Sequence, residues 1–477
     1  MPRRPYPLLE NVTILDAGSE GKAIARVNEM VVFVPFAVPG DVVDIQIVSK
    51  KKKFYEGRII KFHKHSERRT EAFCSHFGTC GGCKWQVMPY HDQLSYKQKQ
   101  VEDAFQRIGK FAFPGCYPIL PSPLTTYYRN KLEFTFSNRR WLDKEEMMLP
   151  PEERRTDALG FHIPQLFDRV IDIDHCYLQP DPSNAIRLSV RNFALERSWD
   201  FYDVRNHEGF LRNLIIRNST DSHVMVIVVF ARYEEENIEQ LLSHLSTEFP
   251  EITSLMYVIN AKRNDVITDL EIRLWKGEPC IVETMPSPVD NGKDLRFKIG
   301  PVSFYQTNPL QAWHLYKTAF DLAAFRGDET VYDLYCGTGT IANFVAPYVR
   351  KVIGVEFIDS AIKDAHQNAE LNDIQNTVFY AGDLAKVMDT DFLLSNGHPD
   401  VIITDPPRSG MHEKVVNQIL HAAAEKIVYV SCNPATQARD IALMDKEYQV
   451  MAVQPVDMFP HTHHVENVVL LKRRQTG

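Results

Sequence analysis

Cys432 stands in SCNPAT (431–436), where a thiol at the end of the apolar run KIVYV is followed at once by an Asn-Pro turn. A thiol on a tight turn at a strand tip is open to attack, and helix-starting amides beyond it would stabilise a thiolate. The competing reading is a small buried hydrophobe, the commoner fate of a lone cysteine. A second string at the end of another apolar run, DPPRSG (405–410), tips the balance towards a nucleophile. Asp405 there precedes two prolines that fix the backbone in a rigid turn. Downstream, HTHHVENVVLLKR offers Glu466 at the start of a final apolar run, with His461, His463 and His464 just before it. A turn-fixed acid, a nucleophile and a candidate base thus fall in that order over about sixty residues.

A cofactor loop precedes them. VYDLYCGTGTIA ends an apolar run at Asp333 and turns through Gly337 and Gly339. In a doubly wound sheet such a loop lies at the carboxyl end of the first strand, where nucleotide ligands bind. With Ala342 it also satisfies the G-x-G-x-x-A dinucleotide pattern, so NAD and S-adenosylmethionine compete. Glu356 ends the next strand, nineteen residues after Gly337, where a carboxylate can accept from both ribose hydroxyls. Asp383 ends a third strand, within reach of an adenine amine. The string at Asp405 resembles the Asp-Pro-Pro signature of S-adenosylmethionine-dependent methyltransferases. Relatives that methylate exocyclic amines usually follow it with an aromatic residue; Arg408 here turns the reading away from amines.

A thiolate beside a methyl sulfonium suits carbon 5 of uracil, which is too weak a nucleophile unaided. Addition of the thiolate to carbon 6 makes an enolate, and a base must then remove the hydrogen from carbon 5. Glu466 is the expected base, with the histidines as other candidates. The base to be methylated must be flipped out or single-stranded.

EAFCSHFGTCGGCKW (71–85) raises a separate question, because Cys74, Cys80 and Cys83 lie within ten residues. Tetrahedral thiolate sites need a fourth ligand, and spacing alone suits zinc and iron–sulfur equally. His76 and His175 leave mixed ligation open.

The elements that must position these groups follow from periodicity. Period-two alternation between Gly18, Gly21, Pro39 and Gly40 predicts a small β-barrel in a first domain, 1–66. Mixed strands and helices predict an α+β domain over 67–300, with a helix ending at Gly109 and a charged, proline-broken loop near 141–155. From 301 to 477, buried runs alternating with helices predict a Rossmann-like α/β domain with a parallel, doubly wound sheet. The net charge of −8 hides a basic start: residues 1–70 hold thirteen Lys and Arg against eight Asp and Glu, with Phe54, Tyr55 and Phe62 among them. Such a stripe can track phosphates and stack bases, or can be a solvated face. No apolar run suits a signal peptide or a membrane span, so a cytoplasmic protein with reduced cysteines is expected.

Taken together, DPPRSG, SCNPAT, HVENVVLL and FYQTNPLQ (304–311) resemble the RNA uracil-5-methyltransferases, in their ribosomal branch. The resemblance covers nearly the whole chain and implies an N-terminal TRAM domain acting on 23S ribosomal RNA. It implies that Gln306, Tyr335, Gly337, Glu356, Asp383 and Asp405 contact S-adenosylmethionine, that Cys432 is the nucleophile and Glu466 the base. It further implies a [4Fe-4S] cluster held by Cys74, Cys80, Cys83 and a remote Cys176, structural because methyl transfer moves no net electron. Zinc remains the alternative metal. Thr340 departs from the asparagine often found in relatives. The other readings are a tRNA uracil-5-methyltransferase, whose branch usually lacks barrel and cluster, an NAD-dependent oxidoreductase, and a silent zinc-stabilised RNA-binding protein.

Overall fold

The computed structural model describes residues 6–475. The first five residues of the predicted barrel domain and the last two of the predicted catalytic domain lie outside them. Strands Leu8–Ala17, Ala23–Val27, Met30–Val34, Val42–Lys50 and Phe54–Lys64 close into a barrel. Alternate residues fill it, among them Ile14, Ala25, Val32, Val34, Val43 and Ile45. The opposite parity faces out, which puts the basic and aromatic residues of the last strand on the surface. There Lys50 lies 4.9 Å over Tyr55, and Arg69 lies 5.0 Å over Phe62.

The central region is a seven-stranded sheet, with Leu211–Asn218, Val224–Phe230 and Ile252–Ile259 at its heart and Lys131–Ser137, Ala158–Ile163 and Leu166–Asp172 to one side. Helices Ser183–Glu196 and Glu235–Glu248 supply Ile186, Val190, Leu241 and Leu245 to its core. The string GFHIPQLF spans the turn of a hairpin, its two strands separated at Pro164 and Gln165.

The catalytic sheet holds β1 (Thr330–Leu334), β2 (Lys351–Glu356), β3 (Thr377–Ala381), β4 (Val401–Thr404), β5 (Lys426–Ser431), β6 (Tyr448–Val456) and β7 (Glu466–Arg473). Their order is β3-β2-β1-β4-β5-β7-β6, parallel except for β7, which runs antiparallel to both β5 and β6. Continuous apolar runs form the strands because helices cover both faces.

Two elements from outside residues 301–477 pack on this sheet. The hairpin of Ile281–Met285 and Leu295–Ile299 shares a core with Val331, Ile341 and Val352. Helix Tyr90–Ala104, extended by a wide turn to Gly109, packs Val101, Ala104 and Phe105 with Tyr332, Tyr429 and Val450. Its Lys97 reaches Asp457 at 2.5 Å with both side chains fully buried. Removing one partner from such a pair costs about 3–5 kcal/mol, because the other charge is left stranded. Among the described residues no helix is long and apolar enough to cross a membrane.

Candidate active site

Strand register brings the proposed reacting groups together. Ser431 of β5 pairs with Asn467 of β7 in an unbroken antiparallel ladder. Cys432 is the first residue beyond that ladder on one side and Glu466 the next residue on the other, and the Cys432 thiol feels the Glu466 charge. The parallel ladders do the same for the other strand ends. Leu334 pairs with Val355 and with Thr404, so the residues that follow, Tyr335, Glu356 and Asp405, sit at one level.

The DPPRSG turn is braced from the helix after Cys432. Asn433 Nδ2 donates to the Arg408 carbonyl at 3.0 Å, and buried Asp440 accepts from the Met411 amide and the Tyr429 hydroxyl, each at 2.8 Å. Gln437 and Asn467 exchange side-chain and main-chain hydrogen bonds at 2.7 and 3.2 Å, locking the start of β7 to the same helix.

Electrostatics here run against charge. Burial pushes Asp405 up to about 7. Glu466 is pushed up to about 8 by burial and then by the Asp405 charge, with Arg408 pulling the other way. The Cys432 thiol is half-buried and pushed up to about 12 by burial, Glu466 and Asp405, again opposed by Arg408. The thiolate stabilised by helix amides that the sequence suggests is therefore not what the free protein holds. Asn433 caps that helix itself, accepting from Ala435 N at 3.1 Å.

The neighbouring cofactor pocket is acidic. Asp333 is fully buried, and burial, with the charges of Asp405 and Glu356, pushes its carboxyl well above the usual carboxylate range. Glu356 accepts from Gly337 N at 3.2 Å and Ile358 N at 3.0 Å, at the rim of the glycine turn. Gly337 has φ +53°, and a Cβ there would meet nothing within 4 Å, so the turn leaves open space for a ligand. A pocket of carboxylates suits a sulfonium and an ammonium group and repels a pyrophosphate. S-adenosylmethionine fits it.

Tyr335 and Asp383 line a shared cavity of about 470 Å3 with Phe357 and Leu384. Tyr335 sits in left-handed backbone, φ 64°, unusual for a bulky residue and typical of functional sites. Gln306 reaches the pocket from the other side, beside the buried Tyr316 hydroxyl, which feels Asp405, Asp333 and Glu466. Asn130 fixes that segment, donating from Nδ2 to the Gln306 carbonyl at 3.1 Å and from its amide to Thr307 O at 2.8 Å.

Asp333 was marked in the sequence as the acid that ends the first strand, whereas Tyr316 and Phe357 were not singled out. Phe357 carried a signal, since it follows the strand-end Glu356 and is left 73% exposed. Tyr316 carried none, being one apolar-face residue of a helix.

Cys74, Cys80, Cys83 and Cys176 line one mostly apolar cavity of about 350 Å3 near, but separate from, these groups. Their charges feel one another, and burial pushes Cys80 up to about 11 and Cys83 up to about 12, so they need a cation to ionise. Among the described residues no three His, Cys, Asp or Glu side chains are gathered closely enough to hold one metal ion. Four thiols spread around a cavity some ten times one water's share of about 30 Å3 suit a polynuclear group better than a bare ion. His76 and His175 line the same cavity, whereas Cys116, Cys280 and Cys336 do not.

Over residues 273–474 the sequence matches the tRNA (Uracil-5-)-methyltransferase family, and over 10–60 the TRAM domain. A protein of Bacteroides thetaiotaomicron named uncharacterized RNA methyltransferase is 56% identical, covering 96% of this chain and 100% of its own length. One of the same name from Porphyromonas gingivalis is 52% identical, covering 96% and 99%. Among solved structures, the Pyrococcus abyssi tRNA (uracil-54, C5)-methyltransferase in complex with S-adenosyl-L-homocysteine superposes with a TM-score of 0.73 at 26% identity, over 96% of this chain and 100% of that one. This chain belongs to the RNA uracil-5-methyltransferase family and carries a TRAM domain in its N-terminal barrel.

Proposed function

We propose that the chain methylates carbon 5 of a uridine in 23S ribosomal RNA, with Cys432 as nucleophile and Glu466 as base. The observation that carries this reading is that Cys432 and Glu466 flank the end of one strand ladder, with the Cys432 thiol within reach of the charges of Glu466 and Asp405. Gln306, Tyr335, Gly337, Glu356, Asp383 and Asp405 would hold S-adenosylmethionine, which supplies the methyl group as a cation. Cys432, once its thiol proton has passed to solvent, forms an S–C6 bond as the thiolate; the C5–C6 π pair becomes the C4–C5 π bond and the C4=O π pair moves to the carbon 4 oxygen. That enolate returns its electrons through carbon 5 to the methyl carbon, and the sulfonium's S–CH3 bond breaks with its electron pair on sulfur, leaving S-adenosylhomocysteine. Glu466 then takes the proton from carbon 5, the C5–C6 double bond re-forms, and the S–C6 bond breaks to release the thiolate. Arg408 keeps both Cys432 and Glu466 nearer their ionised forms throughout.

Residues 1–66 would grip RNA through the barrel's basic and aromatic face, residues 67–300 would form the bridging domain, and residues 301–477 would do the chemistry. Cys74, Cys80, Cys83 and Cys176 would hold a [4Fe-4S] cluster that ties the loop at 74–83 to the central domain. Anaerobically purified protein should then show broad visible absorption and about four irons per chain, and Cys176→Ser should lose both. Zinc with no visible absorption would replace the cluster by the alternative metal.

Methylation of carbon 5 of a uridine in tRNA is the second reading, favoured because the Pyrococcus abyssi enzyme named for tRNA aligns with 96% of this chain. Purified enzyme with methyl-labelled cofactor, offered 23S and transfer RNA transcripts separately, decides it. Label as 5-methyluridine in 23S RNA is the expected result; label confined to transfer RNA would replace the substrate, and none in either would reject the activity.

Cofactor affinity should depend on pH. Asp405, near 7 when free, must lose its proton to face a sulfonium. Binding of S-adenosylmethionine should therefore tighten with rising pH by up to tenfold per unit below about 7 and level off above it. S-adenosylhomocysteine, whose sulfur is neutral, should show a shallower slope. Calorimetry across pH 5.5–8.5 checks both, and identical slopes would remove Asp405 from the sulfonium's surroundings.

A further inference from the structure

The turn that delivers Glu466, residues 457–465, has no ladder or helix of its own. Its shape is imposed from outside. His461 sits in left-handed backbone at φ 63°, a conformation that persists only where surroundings over-determine it. Its carbonyl accepts from Lys84 N at 2.8 Å and Trp85 N at 3.0 Å, the two residues directly after Cys83. Its amide donates to Gln93 Oε1 at 2.8 Å, and its Nδ1 lies 3.2 Å from Gln93 Nε2. Gln93 is fully buried, and the same Nε2 donates to the Trp85 carbonyl at 3.0 Å and the Met88 carbonyl at 2.9 Å. One residue earlier, the Tyr128 hydroxyl donates to the Pro460 carbonyl at 3.0 Å.

A single buried amide thus ties the end of the cysteine loop to a strained turn five residues before the proposed base. We propose that Gln93 is a positioning residue that sets Glu466 for proton removal from carbon 5, by coupling the cysteine loop to the turn at His461. This rests on the assignment of Glu466 as base. It also accounts for a cysteine loop so far upstream in sequence from the chemistry: in space it forms one wall of the turn. Gln93 is fully buried and, among the described residues, its side chain bonds only to Trp85, Met88 and His461, so its influence should appear in one step. Addition of Cys432 and methyl transfer precede proton removal. A misplaced Glu466 therefore stalls the enzyme as a covalent complex with methylated RNA.

The test compares wild type, Gln93→Leu, Tyr128→Phe and Glu466→Gln with 23S RNA and S-adenosylmethionine. Turnover, cofactor affinity and the fraction of enzyme shifted to an RNA-bound band on a denaturing gel are measured. Gln93→Leu is expected to lose roughly 10²-fold in kcat, the scale of a displacement of about 1 Å at a reacting group. Its cofactor affinity should stay within about twofold, and its covalent fraction should rise as it does in Glu466→Gln. Tyr128→Phe, which deletes one hydroxyl, should move the same way by less, and it carries the test if Gln93→Leu does not fold. Lost turnover without a rise in the covalent fraction, or unchanged turnover, would overturn the positioning role. If Glu466→Gln itself accumulates no complex, the fault lies in the assignment of the base, and the inference falls with it.

Discussion

Cys432→Ala is expected to abolish methyl transfer, by on the order of 10⁴–10⁶-fold in kcat, as removal of a covalent nucleophile does. Binding of S-adenosylmethionine should stay within about twofold, since the pocket's acids and its glycine turn are untouched. The variant loses one sulfur from a half-buried position, at about 1 kcal/mol or less, so a well-folded protein is expected. The size of the effect follows from the substrate. Without a bond at carbon 6, carbon 5 of uracil has no enolate to drive it, and no group near Cys432 substitutes for that electron push. Arg408, Asp405 and Glu466 can supply charge or move a proton but cannot form the bond. Release of labelled 5-methyluridine per enzyme, beside calorimetry of the cofactor, makes the measurement. Full turnover by the alanine variant would refute the route.

Much of this arrangement was legible in sequence because its carriers are local. Period-two alternation between glycine turns marks the barrel, and continuous apolar runs mark β1 to β5 of the parallel sheet. The strand-end acids and Cys432 stood out because a doubly wound sheet collects its chemistry where strands stop. What was not legible depends on register and packing. Cys432 lies within reach of the Glu466 charge because β7 inserts between β5 and β6, and nothing in HVENVVLLKR announces that neighbour. The strand YQVMAVQPV went unread, its pattern broken by Met451 and Pro455. Helix Tyr90–Ala104 reads as part of the central region by position, yet it packs on the catalytic sheet. Lys97 and Gln93 look like ordinary polar helix residues until burial shows otherwise.

Glu466→Gln should separate methylation from release. The amide keeps the size and lets the enzyme add to uracil and take up the methyl group, but it cannot accept the carbon 5 proton. Turnover should fall by about 10²–10⁴-fold, with RNA retained on the protein in denaturing gels and the retained RNA already methylated. The rival bases are His461, His463 and His464, and magnitude decides among them. Burial and nearby positive charge push His463 down to about 4 and His464 down to about 3, while His461, also at about 4, is locked into the buried turn. Glu466, at about 8, is by four or more powers of ten the stronger proton acceptor once ionised. The same value sets the pH profile. The carboxylate must be free of its proton to act, so wild-type turnover should climb with pH to a plateau above about 8, and the residual rate of the glutamine variant should lack that rise. If the variant turns over normally, or if it loses turnover with no RNA held on the protein, the proton leaves by another path and Glu466 is not its acceptor.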